Sequence, residues 1–191
     1  DGKAQSIMMA YNAVNDVPCT VNIYLIKKVL RGDWNFNGYI VSDCSAPEWM
    51  VTKHKYVKNL EAAATLALKA GLDLECGDRV YTAPLLKAYN EYMVSEAEID
   101  SAAYHILRGR MLLGLFDDPS QNPYNKIEPS VIGCKEHQEL ALETARQSMV
   151  LLKNQKNFLP LNRKKIRSIA VVGISAAHCE FGDYSGNPKN T

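Results

Sequence analysis

Three strand-like apolar runs recur along the first half of this chain at an almost constant interval. They open at Ile7, Tyr39 and Leu72, at successive offsets of 32 and 33 residues. That interval is the length of one strand, a loop and a return helix, so the pattern predicts a βα repeat with parallel strands. The spacing fits a (β/α)8 barrel, in which eight units take about 250 residues, or an open doubly wound sheet. Three units do not close a barrel. Either the sheet is open, or these are the last units of a barrel whose earlier units lie upstream.

The intervening segments carry helix signals. Asn22 is a candidate cap for a helix that places Ile23, Ile26, Val29 and Leu30 on one face and stops at Gly32. Asn37-Gly38 predicts a turn into a strand at Tyr39–Asp43. The Ala-rich stretch from Leu60 to Ala70 is a strong helix ended by Gly71, and Leu72–Glu75 follows as the third strand. A further helix is expected from about Thr82 to Met93. Ser95 and Glu98 form a capping box for a helix with Ile99, Ala103, Ile106 and Leu107 inward, ending near Gly114.

Pro119, Pro123 and Pro129 then interrupt a stretch rich in Asp, Asn and Ser, which reads as a linker. The expected organisation is residues 1–116 as the repeat domain, 117–134 as the linker, and 135–191 as a helix leading into a second α/β domain. Within that last segment, residues 135–147 read as a helix and Ile169-Ala-Val-Val-Gly173 as a buried strand.

The 47% hydrophobic content suits a folded globular chain, and a net charge of +1 without a run of like charge argues against nucleic acid. No apolar run approaches the roughly 20 residues needed to span a bilayer, so no membrane partner is expected. Asp1 in place of Met predicts that the numbering begins inside a gene, with any leader upstream. Cys19, Cys44, Cys76, Cys134 and Cys179 lack zinc-like pair spacing; their number allows up to two disulfides or a set of scattered thiols. His54, His105, His137 and His178 are dispersed and read as surface or helix residues.

Asp43 ends a predicted parallel strand, the place where barrel and open-sheet enzymes carry reacting groups. A strand-end carboxylate suits nucleophilic attack on a sugar's anomeric carbon; it equally suits bonding the following backbone N–H groups. Asp73 and Glu75 end the next strand, where they would hold loops, pair with Arg79 or face the same pocket, the structural roles being expected first. Gly173 follows an apolar strand, but the Gly-x-Gly-x-x-Gly spacing of a dinucleotide fold is absent.

Five ordered blocks carry a resemblance. Ile7-Met-Met-Ala-Tyr-Asn-Ala-Val-Asn-Asp-Val-Pro18, Leu30-Arg-Gly-Asp-Trp-Asn-Phe-Asn-Gly-Tyr-Ile-Val-Ser-Asp-Cys44 and Ala67-Leu-Lys-Ala-Gly-Leu-Asp-Leu-Glu-Cys-Gly77 are the first three. Ser148-Met-Val-Leu-Leu-Lys-Asn154 and then Leu159-Pro-Leu161 with Ile169–Gly173 complete them. In this order they resemble family 3 glycoside hydrolases, passing from the barrel into the α/β sandwich.

The resemblance implies a retaining exo-glycosidase in which Asp43 is the nucleophile, Tyr11 lies near the sugar and Met8 lines the pocket. It implies oligosaccharide or aryl glycoside substrates, no metal or organic cofactor, and dependence on the remainder of a longer polypeptide. That remainder would supply an acid/base and a Lys-His sugar-binding block. Cys44 stands where many β-glucosidases of the family carry Trp, so the resemblance favours the β-xylosidase branch; a β-glucosidase or a noncatalytic carbohydrate-binding relative are the alternatives. A secreted or periplasmic location is the family expectation. Glu180 and Asp183 do not match the acid/base block, and Phe181–Gly186 resembles the loop that approaches the barrel mouth.

Overall fold

The computed structural model describes residues 2–77, 79–178, 181, 182 and 184. They fall into two compact units divided between Glu128 and Pro129, inside the stretch expected to be a linker.

The first unit is built on a parallel pair. β1 (Ser6–Met9) lies beside β4 (Tyr39–Ser42) with Ile7 opposite Ile40 and Met9 opposite Ser42. Leu74 adds a parallel bridge to Val41 on the other side. The three expected segments are therefore adjacent, parallel and in sequence order. The third is shorter than the predicted strand over 72–75: only Leu74 is bridged, and no strand among the described residues pairs with its other side.

Alternation along the pair separates two faces. Met9, Ile40 and Ser42 are buried under the helices, and Ile7 packs against the same core. Met8 is 59% exposed on the opposite face. Gly38 precedes β4 where its backbone meets the Gln5 carbonyl, which accepts from Tyr39 N–H at 3.1 Å. A Cβ at residue 38 would collide with that carbonyl, so glycine is what lets β4 begin against β1.

A short hairpin, β2 (Ala13–Val14) with β3 (Val17–Pro18), and a 3-10 turn at Cys19–Val21 separate β1 from its return helix. That helix, Tyr24–Asp33, is of the wide π type. Asn22 Oδ1 accepts from Leu25 N–H at 3.1 Å, the capping role expected of it. Ile26 and Leu30 are buried and Val29 half-buried, as expected, but Ile23 is exposed because it precedes the helix as its N-cap. The wider winding carries the helix past Gly32, where a stop was expected, to Asp33.

α1 (Ala46–Thr52) follows β4. α2 (Leu60–Ala70) has the predicted bounds, with Asn59 Oδ1 accepting from Ala62 N–H at 2.9 Å and Gly71 closing it at φ 102°. Ala63, Ala64 and Ala67 are fully buried, a methyl-only face within the main apolar cluster. α3 (Ala83–Asn90) and α4 (Glu96–Leu112) complete the unit, and both halves of the Ser95/Glu98 capping box form. On α4 the expected inward residues Ile99, Ala103 and Ile106 are half-buried, with Ile99 packed against the core, but Leu107 is exposed and the most buried positions are Ala102 and Gly109. Gly109 sits against the Tyr39 ring, so small residues set the closest approach and larger ones flank it. Residues 117–128 are not extended but carry 3-10 turns at Pro119–Gln121 and Pro123–Lys126.

The second unit contains α5 (Lys135–Gln147), which spans the expected helix. Ile169, Val171 and Val172 are exposed and form no strand. The buried strand predicted over 169–173 is thus not formed: an isolated apolar run leaves its backbone groups unpaired, and no paired segment adjoins it among the described residues of this unit. Of the loop at Phe181–Gly186, Asp183, Ser185 and Gly186 lie outside the described residues, as do Cys179 and Glu180. No helix among the described residues is long and apolar enough to cross a membrane.

Candidate active site

Asp43 leaves β4 at its C-terminal end, with its N–H donating to Met9 O at 3.0 Å in the parallel ladder. The side chain is half-buried. Its Oδ1 accepts from Cys44 N–H at 2.8 Å, and no hydrogen bond to Oδ2 is formed among the described residues. One oxygen is therefore tethered by backbone while the other has no such tether. This is the backbone-bonding role foreseen for a strand-end carboxylate, and it leaves one oxygen for chemistry.

Tyr11 is carried to the same end by β1. Its hydroxyl donates to Cys44 O at 2.7 Å, so Cys44 bonds Asp43 and Tyr11, two of the three predicted site residues, through its main chain. The Tyr11 ring stacks on Trp49 of α1, with centroids 4.3 Å apart and planes at 27°. Met8 lies one strand position before Met9 on the open face and opposite Val41, away from the helices.

The main chain around Cys44 is fixed from the third strand segment as well. Cys44 and Cys76 form a disulfide, Cys76 N–H donates to Ser42 Oγ at 3.0 Å, and Ser45 N–H donates to Cys76 O at 2.7 Å. Ser45 adopts a left-handed φ of 62° at the start of α1, the sharp turn that separates Asp43 from the helix. The chain after β4 is thus held on one side by Tyr11 and on the other by residue 76.

Asp73 and Glu75 do structural work. Asp73 accepts from Arg31 at 2.7 Å, from Ile40 N–H at 2.7 Å, and lies 2.9 Å from His105 Nδ1. Burial pushes the Asp73 pKa upward, opposed by the Ile40 N–H, His105 and Arg31. Glu75 accepts from Val80 N–H at 2.9 Å and Tyr81 N–H at 2.6 Å, which closes the loop after the third strand. The Tyr81 hydroxyl donates to Leu72 O, and burial raises its pKa well above the ordinary phenol value. Arg79 pairs with Glu48 rather than with either of these acids.

Two histidines make bonds to distant residues, His105 from helix α4, as the helix reading allows, and His54 from the turn after α1. His105 belongs to the Asp73 cluster. His54 Nε2 lies 2.8 Å from Tyr11 O, and because a carbonyl only accepts, this nitrogen carries the proton. Both bonds join residues more than 30 positions apart, which local spacing does not reveal. His137 lies exposed on α5 and His178 is exposed in the second unit. No group of three or more His, Cys, Asp or Glu residues is placed to hold a metal ion among the described residues.

The family model described as the glycosyl hydrolase family 3 N terminal domain matches residues 1–109, and that of the family 3 C-terminal domain matches residues 149–191. A β-xylosidase/α-L-arabinofuranosidase of Medicago sativa subsp. varia is 42% identical over 98% of the chain, and the match covers 24% of that relative. A xylan 1,4-β-xylosidase of Xylanibacter ruminicola is 37% identical over 100% of the chain and is covered over 22%. Among solved structures, a GH3 exo-β-xylosidase in complex with a xylobiose aziridine activity-based probe aligns with TM-score 0.75 and 31% identity, over 85% of this chain and 21% of that one. A β-glucosidase from Listeria innocua in complex with isofagomine aligns with TM-score 0.72 and 33% identity, over 83% of this chain and 22% of that one. The chain spans about a quarter of the length of the relatives it matches.

Proposed function

The chain belongs to glycosyl hydrolase family 3, and on that premise we propose that it is a segment of a retaining, exo-acting β-xylosidase that releases terminal β-xylosyl residues from xylo-oligosaccharides. In this reading residues 1–116 are the last three βα units of a (β/α)8 barrel, 117–134 link the domains, and 135–191 open an α/β sandwich. The parallel order of β1, β4 and Leu74 supports the first part. The match of residues 149–191 to the family's C-terminal domain supports the last.

The observation that carries the reading is the setting of Asp43, at the C-terminal end of a parallel strand with one carboxylate oxygen tethered by Cys44 N–H. Oδ2 attacks the anomeric carbon and the C–O bond to the leaving group breaks, while Oδ1 stays on the Cys44 amide and fixes the plane of the carboxylate. A second carboxyl group, about 5–5.5 Å away in retaining enzymes, protonates the leaving oxygen. The same group then takes a proton from water, which attacks the glycosyl-enzyme ester and returns Asp43. That acid/base, like the Lys-His block, is assigned to other parts of the longer polypeptide. Tyr11 borders the sugar from the neighbouring strand, and Met8 lines the open face beneath it.

A β-glucosidase is the second reading, favoured by the likeness to the Listeria enzyme. Cys44 in place of Trp, bound to Cys76, favours the xylosidase. The ratio of kcat/KM for nitrophenyl xyloside and glucoside separates them.

Asp43→Ala in the full-length polypeptide should lower kcat by about a thousandfold or more, since attack loses its nucleophile. Added azide should restore turnover of a dinitrophenyl β-xyloside and yield the α-xylosyl azide. Wild-type turnover by Asp43→Ala without azide would refute the assignment.

A further inference from the structure

α1 is fastened to the core by residues other than its tryptophan. Ala46, Pro47 and Met50 are buried, and Met50 lies fully inside the main apolar cluster. Trp49 stays half-buried and lies against the Tyr11 ring instead. The same indole has Lys53 Nζ 6.0 Å from its centroid, one turn further along the chain. His54, just past the end of α1, holds the Tyr11 carbonyl. Among its contacts, three points hold Tyr11: its hydroxyl on Cys44 O, its ring on Trp49 and its main chain on His54. Two of those three points come from residues 49–54.

We propose that Trp49 is a positioning residue for the reaction: its indole holds the Tyr11 ring so that the hydroxyl stays on the Cys44 carbonyl, beside the amide that tethers Asp43. This rests on the reading of Asp43 as nucleophile and Tyr11 as a sugar contact. The geometry separates the role from simple packing. A tryptophan placed for stability would be expected among the buried apolar residues, yet Trp49 is absent from that cluster and spends its stacking face on a residue at the strand end. Aromatic stacking adds directional preference to apolar contact, which suits a part that must hold a ring at a set angle.

The test is a double-variant cycle in the full-length polypeptide, with kcat and KM for a nitrophenyl β-xyloside and thermal melting measured for each variant. Trp49→Leu should lower kcat by about tenfold to a hundredfold, the scale of a small misplacement near a reacting centre, with a smaller change in KM. Trp49→Phe should recover most of the loss, because a ring remains to stack. In a Tyr11→Ala background, Trp49→Leu should cost little more, since the residue it positions is gone. Losses that multiply independently in the double variant, or parental kcat in Trp49→Leu, would overturn the positioning role while Tyr11→Ala remained impaired. Parental kcat/KM in Tyr11→Ala would instead remove the sugar-contact reading of Tyr11, and the proposal with it. Trp49→Phe also guards against misfolding: if it melts like the parent and is as slow as Trp49→Leu, stacking is not what Trp49 contributes and the proposal fails.

Discussion

Cys44 does more at this strand end than its small size suggests. Its N–H holds Asp43, its carbonyl holds Tyr11, and its sulfur is bonded to Cys76 across 32 residues of chain. Closing a loop of that length restricts the unfolded chain by an amount equivalent to about 3–4 kcal/mol in the loop-entropy model. The same bridge fixes the turn between Asp43 and α1, so with Asp43 as the proposed nucleophile stability and activity should fall together. Cys44→Ser with Cys76→Ser is expected to lower the melting temperature and to reduce kcat by roughly tenfold through a looser Asp43. Differential scanning calorimetry beside steady-state kinetics checks both. An unchanged kcat at a lowered melting temperature would confine the bridge to stability. The strand end at residue 43 was readable because strand ends in parallel sheets are recognisable from apolar pattern and turn residues. The pairing of Cys44 with Cys76 was not, since a cysteine count leaves connectivity open.

Among the elements, the Asp73 cluster ties together more of the first unit than any single helix contact. Its carboxylate receives Arg31 from the π-helix, the Ile40 N–H from β4 and His105 from α4. Asp73→Ala would remove the carboxylate from the Arg31 guanidinium, 21% exposed, leaving it the Phe36 and Gly38 carbonyls, and should cost about 3 kcal/mol, the lower end for breaking a buried pair because water and those carbonyls still reach the arginine. Urea unfolding measures it, and a loss under 1 kcal/mol would show that the cluster is incidental. The pH dependence has a definite sign. A carboxyl whose folded pKa is raised binds its proton more tightly in the fold, so its contribution is fully present below the unfolded value of about 3.8 and is lost as pH rises through the folded value. Elements with local punctuation were readable: Asn59 and Gly71 bracket α2, and Ser95 with Glu98 opens α4. The closest contacts of α4 were not, because Gly109 lies against Tyr39 and Ala102 against Leu68, Ala88 and Val94, small residues that a hydrophobic pattern passes over. His54 and His105 were equally hidden, their partners being set by the packing of distant segments.

At the scale of the whole molecule, the parallel order of three segments and the family were both readable, because a period of one βα unit and five ordered blocks leave few alternatives. The apolar run at 169–173 shows the opposite limit: composition marks a strand, but a strand exists only where neighbours take its hydrogen bonds. The same dependence governs chemistry. A nucleophile on one segment needs an acid and sugar contacts from others, so the decisive test belongs in the full-length polypeptide. A 2-deoxy-2-fluoro-β-xylosyl fluoride forms its ester with the nucleophile quickly and releases it slowly, which traps the intermediate for peptide mass spectrometry. The predicted result is a single fluoroxylosyl label on the peptide carrying Asp43, localised to that residue by fragmentation and lost in Asp43→Asn. A label on Asp73, Glu75 or any other carboxylate would contradict the account.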